Sequence, residues 1–176
     1  MSVERLKQAI RDIPDFPKEG IIFKDITPIL SDPELFKLAV DTMAERHMGK
    51  QIDQVCVIEA RGFIFGSAIA YRLGAGLIPI RKKGKLPFKT NEATYDLEYG
   101  TATLQIHVDA IEKGSKVLLI DDLLATGGTA SASASLIEDL GGDIVEIQFL
   151  IELGFLNGRE KLSKYNVFSP IVFDGE

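Results

Sequence analysis

The sequence predicts an α/β fold, a mostly parallel twisted sheet flanked by helices, and two observations predict it. First, Gln54–Ile58, Gly76–Ile80, Lys116–Ile120 and Ile144–Ile151 are apolar runs with little polar interruption, the pattern of strands buried on both faces. Second, helix-compatible stretches alternate with them, Phe63–Leu73 after the first and Thr129–Leu140 after the third. Strand, loop and helix in repetition give parallel neighbours joined by right-handed crossovers. Sheets of this kind take their ligands at the carboxyl ends of the strands. A chain of 176 residues, 45% hydrophobic and 26% charged, has the length for one domain with a real core, and no repeat or linker divides it.

In chain order, Val3–Ile10 reads as a short helix, and Asp12–Lys24 as an irregular apolar segment punctuated by Pro and Gly. Ser31 and Glu34 have the spacing of a capping box, so a helix is expected from there to about Arg46. Glu59–Gly62 is a loop before the helix Phe63–Leu73. After Gly76–Ile80 comes a basic stretch, Arg81, Lys82, Lys83 and Lys85, followed by Lys89. Tyr95–Tyr99 and Leu104–Val108 alternate with period two about Gly100, which predicts an antiparallel hairpin projecting from the body. Leu123–Gly128 is expected as a loop, and Gly141 and Gly142 end the helix that follows it.

A net charge of −6 argues against broad binding to nucleic acid or membranes, which draws on an excess of Lys and Arg. No apolar run approaches the roughly 20 residues of a membrane span, and the start of the chain lacks the form of a signal peptide, so a cytoplasmic protein is expected. Cys56, the one cysteine, sits in an apolar run and reads as core. His47 and His107 have no partner at metal-ligand spacing and are expected at surface or hairpin positions.

The most informative segment is Val117–Thr129, VLLIDDLLATGGT. Gly127 and Gly128 permit positive φ and leave room for successive backbone N–H groups to close on an anion. The start of the next helix adds unpaired N–H groups and the positive end of its dipole, and Thr126 and Thr129 offer hydroxyls. The cradle suits one phosphate. It is no triphosphate loop, because G-x-x-x-x-G-K-[ST] is missing. Asp121 and Asp122, just before it, are placed to accept hydrogen bonds from the hydroxyls of a sugar carrying that phosphate. For either acid taken alone, capping of loop backbone is the competing reading.

IDDLLATGGT resembles the phosphoribosyl pyrophosphate signature of the type I phosphoribosyltransferases, in the form found in adenine phosphoribosyltransferases. FPKEGIIFKDITPIL (Phe16–Leu30), EARGFIFG (Glu59–Gly66), PIRKKGKLP (Pro79–Pro87) and TYDLEYG (Thr94–Gly100) resemble further blocks of that family in the same order, so nearly the whole chain is covered. The resemblance implies the type I fold with an N-terminal base-binding hood, about residues 1–30, and a flexible lid, about residues 82–108, carrying the basic loop and hairpin. It implies a reaction of purine salvage: the 5-phosphoribosyl group passes from phosphoribosyl pyrophosphate to adenine, giving AMP and pyrophosphate.

By the family pattern, Ala125, Thr126, Gly127, Gly128 and Thr129 hold the 5-phosphate, and Asp121 and Asp122 the ribose hydroxyls. Glu59, Ala60 and Arg61 form the pyrophosphate loop, joined by Arg81, Lys82 and Lys85 of the basic loop, in part across a homodimer interface. Adenine lies between Ile22 and Leu123, its edge read by backbone groups near Phe23 and Lys24. Glu98 matches the lid acid that manages a proton on the base and is the catalytic candidate. Mg2+ arrives with phosphoribosyl pyrophosphate, and no protein-bound metal motif is present. Lys24 stands where many relatives carry Arg, and Phe88 and Lys89 depart from the family's usual loop composition, which bears on lid closure. Two other readings stay open on the sequence: a nucleotide-sensing module that keeps the pocket without transfer, against which Glu98, Arg61 and the basic loop speak, and the same transfer onto a 6-oxopurine.

Overall fold

The structure is a computed structural model that describes residues 2–97 and 99–175. Its elements in order are α1 (Val3–Ala9), β1 (Arg11–Ile13), β2 (Phe23–Asp25), α2 (Thr27–Ser31), α3 (Pro33–Ala44), β3 (Gln54–Ile58), α4 (Gly62–Leu73) and β4 (Gly76–Lys82). There follow β5 (Thr90–Asp96), β6 (Thr101–His107), β7 (Lys116–Leu124), α5 (Gly128–Asp139), β8 (Asp143–Leu153), β9 (Val167–Phe168) and β10 (Ile171–Phe173). The main sheet runs β10-β8-β7-β3-β4-β6-β5, with β9 paired to β8. From β10 to β4 every pairing is parallel, and β6 and β5 add antiparallel at one edge.

Alternate residues of the central strands feed two cores. Val55 and Val57 of β3 and Leu118 and Ile120 of β7 pack with α1 to α4 on one face. Cys56, Ile58, Val117 and Leu119 pack under α5 on the other. Covering both faces explains the unbroken apolar runs. Burial, as expected of Cys56, pushes its thiol well above the ordinary range, leaving it protonated and inert.

Several boundaries differ from the sequence reading. The cap of α3 is Asp32, whose Oδ1 accepts from Glu34 N at 2.9 Å and Leu35 N at 3.0 Å, and Pro33 takes the first helical position, where a missing N–H costs nothing. Ser31 instead closes α2, its Oγ donating to Pro28 O. The segment expected to be irregular contains a short ladder, Arg11↔Asp25 to Ile13↔Phe23, with too few residues to show periodicity. Strand β7 runs on to Leu124, so Asp121 and Asp122 lie within it, held by pairing to β8. The hairpin is less free than expected: Arg81↔Gln105 and Lys82↔Leu104 join its foot to β4, and Ala93 and Tyr95 pack on the core beneath α5. His47 is buried rather than at the surface, because Glu146 accepts a hydrogen bond from its Nε2 at 2.8 Å. No helix among the described residues is long and apolar enough to cross a membrane.

Candidate functional site

The carboxyl ends of β3 and β7 meet at a cavity of about 190 Å³, lined by Arg61, Asp121, Asp122, the chain from the end of β7 to the first turn of α5, and Phe149. The loop's shape follows from two glycines facing each other. Gly127 has φ +80°, and a Cβ there would fall 2.4 Å from Gly158 O. A Cβ on Gly158 would fall 2.3 Å from Ala125 O. Any side chain at either position would force this loop off its support. The support is itself anchored: Arg159 donates from Nε and one terminal nitrogen to the buried Glu152 carboxylate, each at 2.7 Å, and to Val167 O at 3.0 Å. Sequence reasoning missed this buttress, since Glu152 and Arg159 look like ordinary charged residues near a chain end. An N-G-R step separated by three residues from the end of the apolar strand β8 was the available signal.

The two acids are in unlike surroundings. Asp122 is buried and paired to Arg61 Nε. Asp121 accepts from Asp122 N at 2.8 Å. Burial, and then the neighbouring charge of Asp122, push the Asp121 carboxyl well above its ordinary value, although that N–H bond and the Arg61 charge pull the other way. A pair of adjacent acids held this way has spare acceptor capacity, which sugar hydroxyls or a cation would fill.

Arg61 also links the site to β2, its guanidinium lying 5.3 Å from the centre of the Phe23 ring. Phe23 packs edge-on to Phe16 at 5.2 Å. Lys24, expected to act through its backbone, has a buried side chain that pairs with Asp12 at 2.8 Å and lies 4.5 Å from the Phe173 ring centre. The side chain thus ties β2 to β10. Ile22 and Leu123 are both partly open; Leu123 packs against the first core.

On the other side of the loop, Glu59 accepts from Arg81 Nε at 2.7 Å and Lys82 N at 2.9 Å. Burial opposes ionisation of Glu59, but these donors prevail and its pKa is lowered. Glu59 therefore organises the basic strand, its carboxylate taken up by donors from β4. Ala60 follows it through a cis peptide bond. Lys82 and Lys85 are exposed at the start of the basic loop. Of the hairpin, Tyr95 meets Thr129 and Tyr99 meets Lys18 of the N-terminal segment, whose ammonium is 5.4 Å from the ring centre. Glu98 lies outside the described residues.

Comparison with known proteins fits this geometry. Residues 26–174 match the family described as phosphoribosyl transferase domain. The adenine phosphoribosyltransferase of Geotalea daltonii is 57% identical over 171 residues, covering 97% of this chain and all of the relative. The crystal structure of the adenine phosphoribosyltransferase of Thermoanaerobacter pseudethanolicus superposes with a TM-score of 0.94 at 52% identity, covering 98% of this chain and all of that one. That of Saccharomyces cerevisiae, complexed with an imino-altritol bisphosphate and adenine, gives 0.90 at 42% identity, with 96% and 97% covered. The chain belongs to the phosphoribosyltransferase family, among its adenine phosphoribosyltransferases.

Proposed function

We infer that this chain transfers the 5-phosphoribosyl group of phosphoribosyl pyrophosphate to adenine, giving AMP and pyrophosphate in purine salvage. The observation that carries this reading is the joining of a backed, glycine-shaped anion loop to two adjacent acids on one strand end, in a chain 57% identical over its length to an adenine phosphoribosyltransferase.

In this reading Ala125–Thr129 hold the 5-phosphate through backbone N–H groups, the helix start and the threonine hydroxyls. Asp121 and Asp122 accept from the ribose hydroxyls. Arg61 turns from Asp122 to the pyrophosphate, together with backbone of Glu59 and Ala60 and the side chains of Arg81, Lys82 and Lys85, which offset the charge that develops as pyrophosphate leaves. Adenine sits between Ile22 and Leu123 with its edge read by backbone at Phe23 and Lys24, so that its nitrogens are not buried unpaired. Glu98 manages the proton on the base, and the hairpin excludes water from the oxocarbenium-like sugar.

Among the described residues no three or more His, Cys, Asp or Glu side chains gather as a metal cage. Two acids beside an anion loop suit Mg2+ that comes bound to the substrate's phosphates, where it would neutralise charge on the leaving group. The reading further takes the chain as one domain with hood and lid, working as a cytoplasmic homodimer without nucleic acid or membrane partners.

The test is AMP and pyrophosphate formation with Mg2+ and adenine, hypoxanthine, guanine or xanthine. Turnover with adenine alone is expected. No turnover with tight ligand binding would instead make the chain a nucleotide sensor, and turnover on hypoxanthine or guanine would reassign the base. Glu98→Leu is expected to lower kcat by roughly tenfold to a hundredfold with the fold intact, and unchanged turnover would remove Glu98 from the mechanism.

A further inference from the structure

We propose that Tyr95 is a positioning residue for the 5-phosphate site, fastening the turn end of the lid hairpin to Thr129 so that a bound phosphate and a seated hairpin stabilise each other. The proposal rests on reading Ala125–Thr129 as the phosphate loop, and it gives a role to a residue that otherwise reads as one more aromatic on a hairpin.

Two independent contacts converge on this side chain. Thr129 Oγ1 donates to the Tyr95 hydroxyl at 3.0 Å. The ring covers Gly128: a Cβ built on that glycine would lie 3.2 Å from Tyr95 Cδ2 and 3.8 Å from Asp96 O. Strand alternation places the ring there. Ala93 and Tyr95 turn inward to the core beneath α5, while Glu92, Thr94 and Asp96 are exposed, and the Thr94 hydroxyl pairs across to Thr103 at 2.9 Å. The missing side chain at Gly128 therefore serves two surfaces, the anion side of the loop and the seat of the lid.

The hydrogen bond has a property that packing lacks. A hydroxyl has one proton to donate and lone pairs with which to accept. When Thr129 turns its proton to a phosphate oxygen, its own oxygen accepts from the Tyr95 hydroxyl, so the Tyr95–Thr129 contact persists with its direction reversed. Thr129 is then oriented towards the phosphate by the lid, and the lid is held down by a threonine that phosphate has polarised. Four residues on, in the turn itself, Tyr99 reaches Lys18 near the start of the chain, so the turn end of the hairpin is tethered to the phosphate side by the last residues of β5 and to the base side by the turn.

Tyr95→Phe keeps the ring on Gly128 and removes the hydroxyl. It is expected to raise the KM for phosphoribosyl pyrophosphate, and the Kd values of AMP and ribose 5-phosphate, by a common factor of about threefold to tenfold, the range of one net hydrogen bond. Adenine affinity should not move, and any fall in Tm should stay within the few degrees that one hydrogen bond contributes. In a Thr129→Val background the same substitution should change phosphate affinity less than twofold, because the partner is already gone. A Tyr95→Phe enzyme with unchanged phosphate affinity would overturn the proposal, as would an increase that persists undiminished beside Thr129→Val, or a lower Tm with unaltered KM, which would mark the tyrosine as packing alone. Failure of the phosphoribosyl reading is distinguishable: the unsubstituted chain would then bind neither AMP nor ribose 5-phosphate.

Discussion

Glu146 on β8 and Asp121 on β7 are carboxylates taken largely out of water on neighbouring strands, yet they hold protons in opposite ways. Burial would push Glu146 up, but Arg46 donates at 2.6 and 3.0 Å, Gln148 and His47 each at 2.8 Å, and together they bring it down to about 2. Asp121 is also desolvated, but its neighbour is Asp122, a second negative charge, and its pKa is driven up. The first carboxylate is saturated with donors from the protein itself. The second is left short of them, and its deficit faces a cavity. Saturation marks a group that holds the turn after α3 to the sheet, and on the function proposed above shortage marks a group kept for a ligand.

Removing each should therefore have unlike effects. Glu146→Ala strands Arg46, His47 and Gln148 around a void and is expected to cost about 3–5 kcal/mol of stability, read as a large fall in Tm, while the KM values of the folded fraction stay unchanged. A Tm within a degree or two of the parent would show that the network contributes nothing net. Asp121→Asn keeps size and removes the charge that the fold resists. It is expected to lower kcat/KM about a hundredfold, or about 2.7 kcal/mol of transition-state stabilisation, with Tm equal to the parent or higher. A fall in Tm with intact kinetics would exchange the roles assigned to the two acids.

The same contrast explains what the sequence made legible. The parallel sheet, its helices and the loop Ala125–Thr129 could be read because apolar runs and glycine pairs are local signals, and the structure has them in that order. The length of β7 was misjudged because two acids looked like a strand end, whereas backbone pairing to Phe149 and Ile151 carries the strand past them. Glu146 and His47 are 99 residues apart, as Glu59 and Arg81 are 22; contacts at such separations leave no periodicity to detect. His47 was read as a surface residue for that reason, and nothing local in the loop Glu59–Gly62 announces that the Glu59 carboxylate is taken up by Arg81 and Lys82. The Gly127–Gly158 contact belongs with these, since one glycine of the pair is conspicuous and the other gains meaning only in space.

The smallest effect is also the one that separates the two carboxylates most directly. Glu146 has a folded pKa of about 2 against an ordinary 4.5, so its stabilisation is fully present above pH 4.5 and is lost as pH falls towards 2. With the shift discounted because Arg46 keeps an outer part in water that screens the pair, the loss amounts to about 2 kcal/mol. Asp121 has the reverse sign. Its folded pKa lies above the ordinary 3.8, so ionising it opposes folding; the penalty is absent below pH 3.8 and grows as pH rises through the folded pKa. Tm measured against pH should then show the deficit of Glu146→Gln shrinking towards acid, and any advantage of Asp121→Asn vanishing there. Parallel curves for the two variants and the parent would mean that neither proton is coupled to folding. A deficit of Glu146→Gln that stays constant down to pH 2 would assign the stabilisation to shape and not to charge.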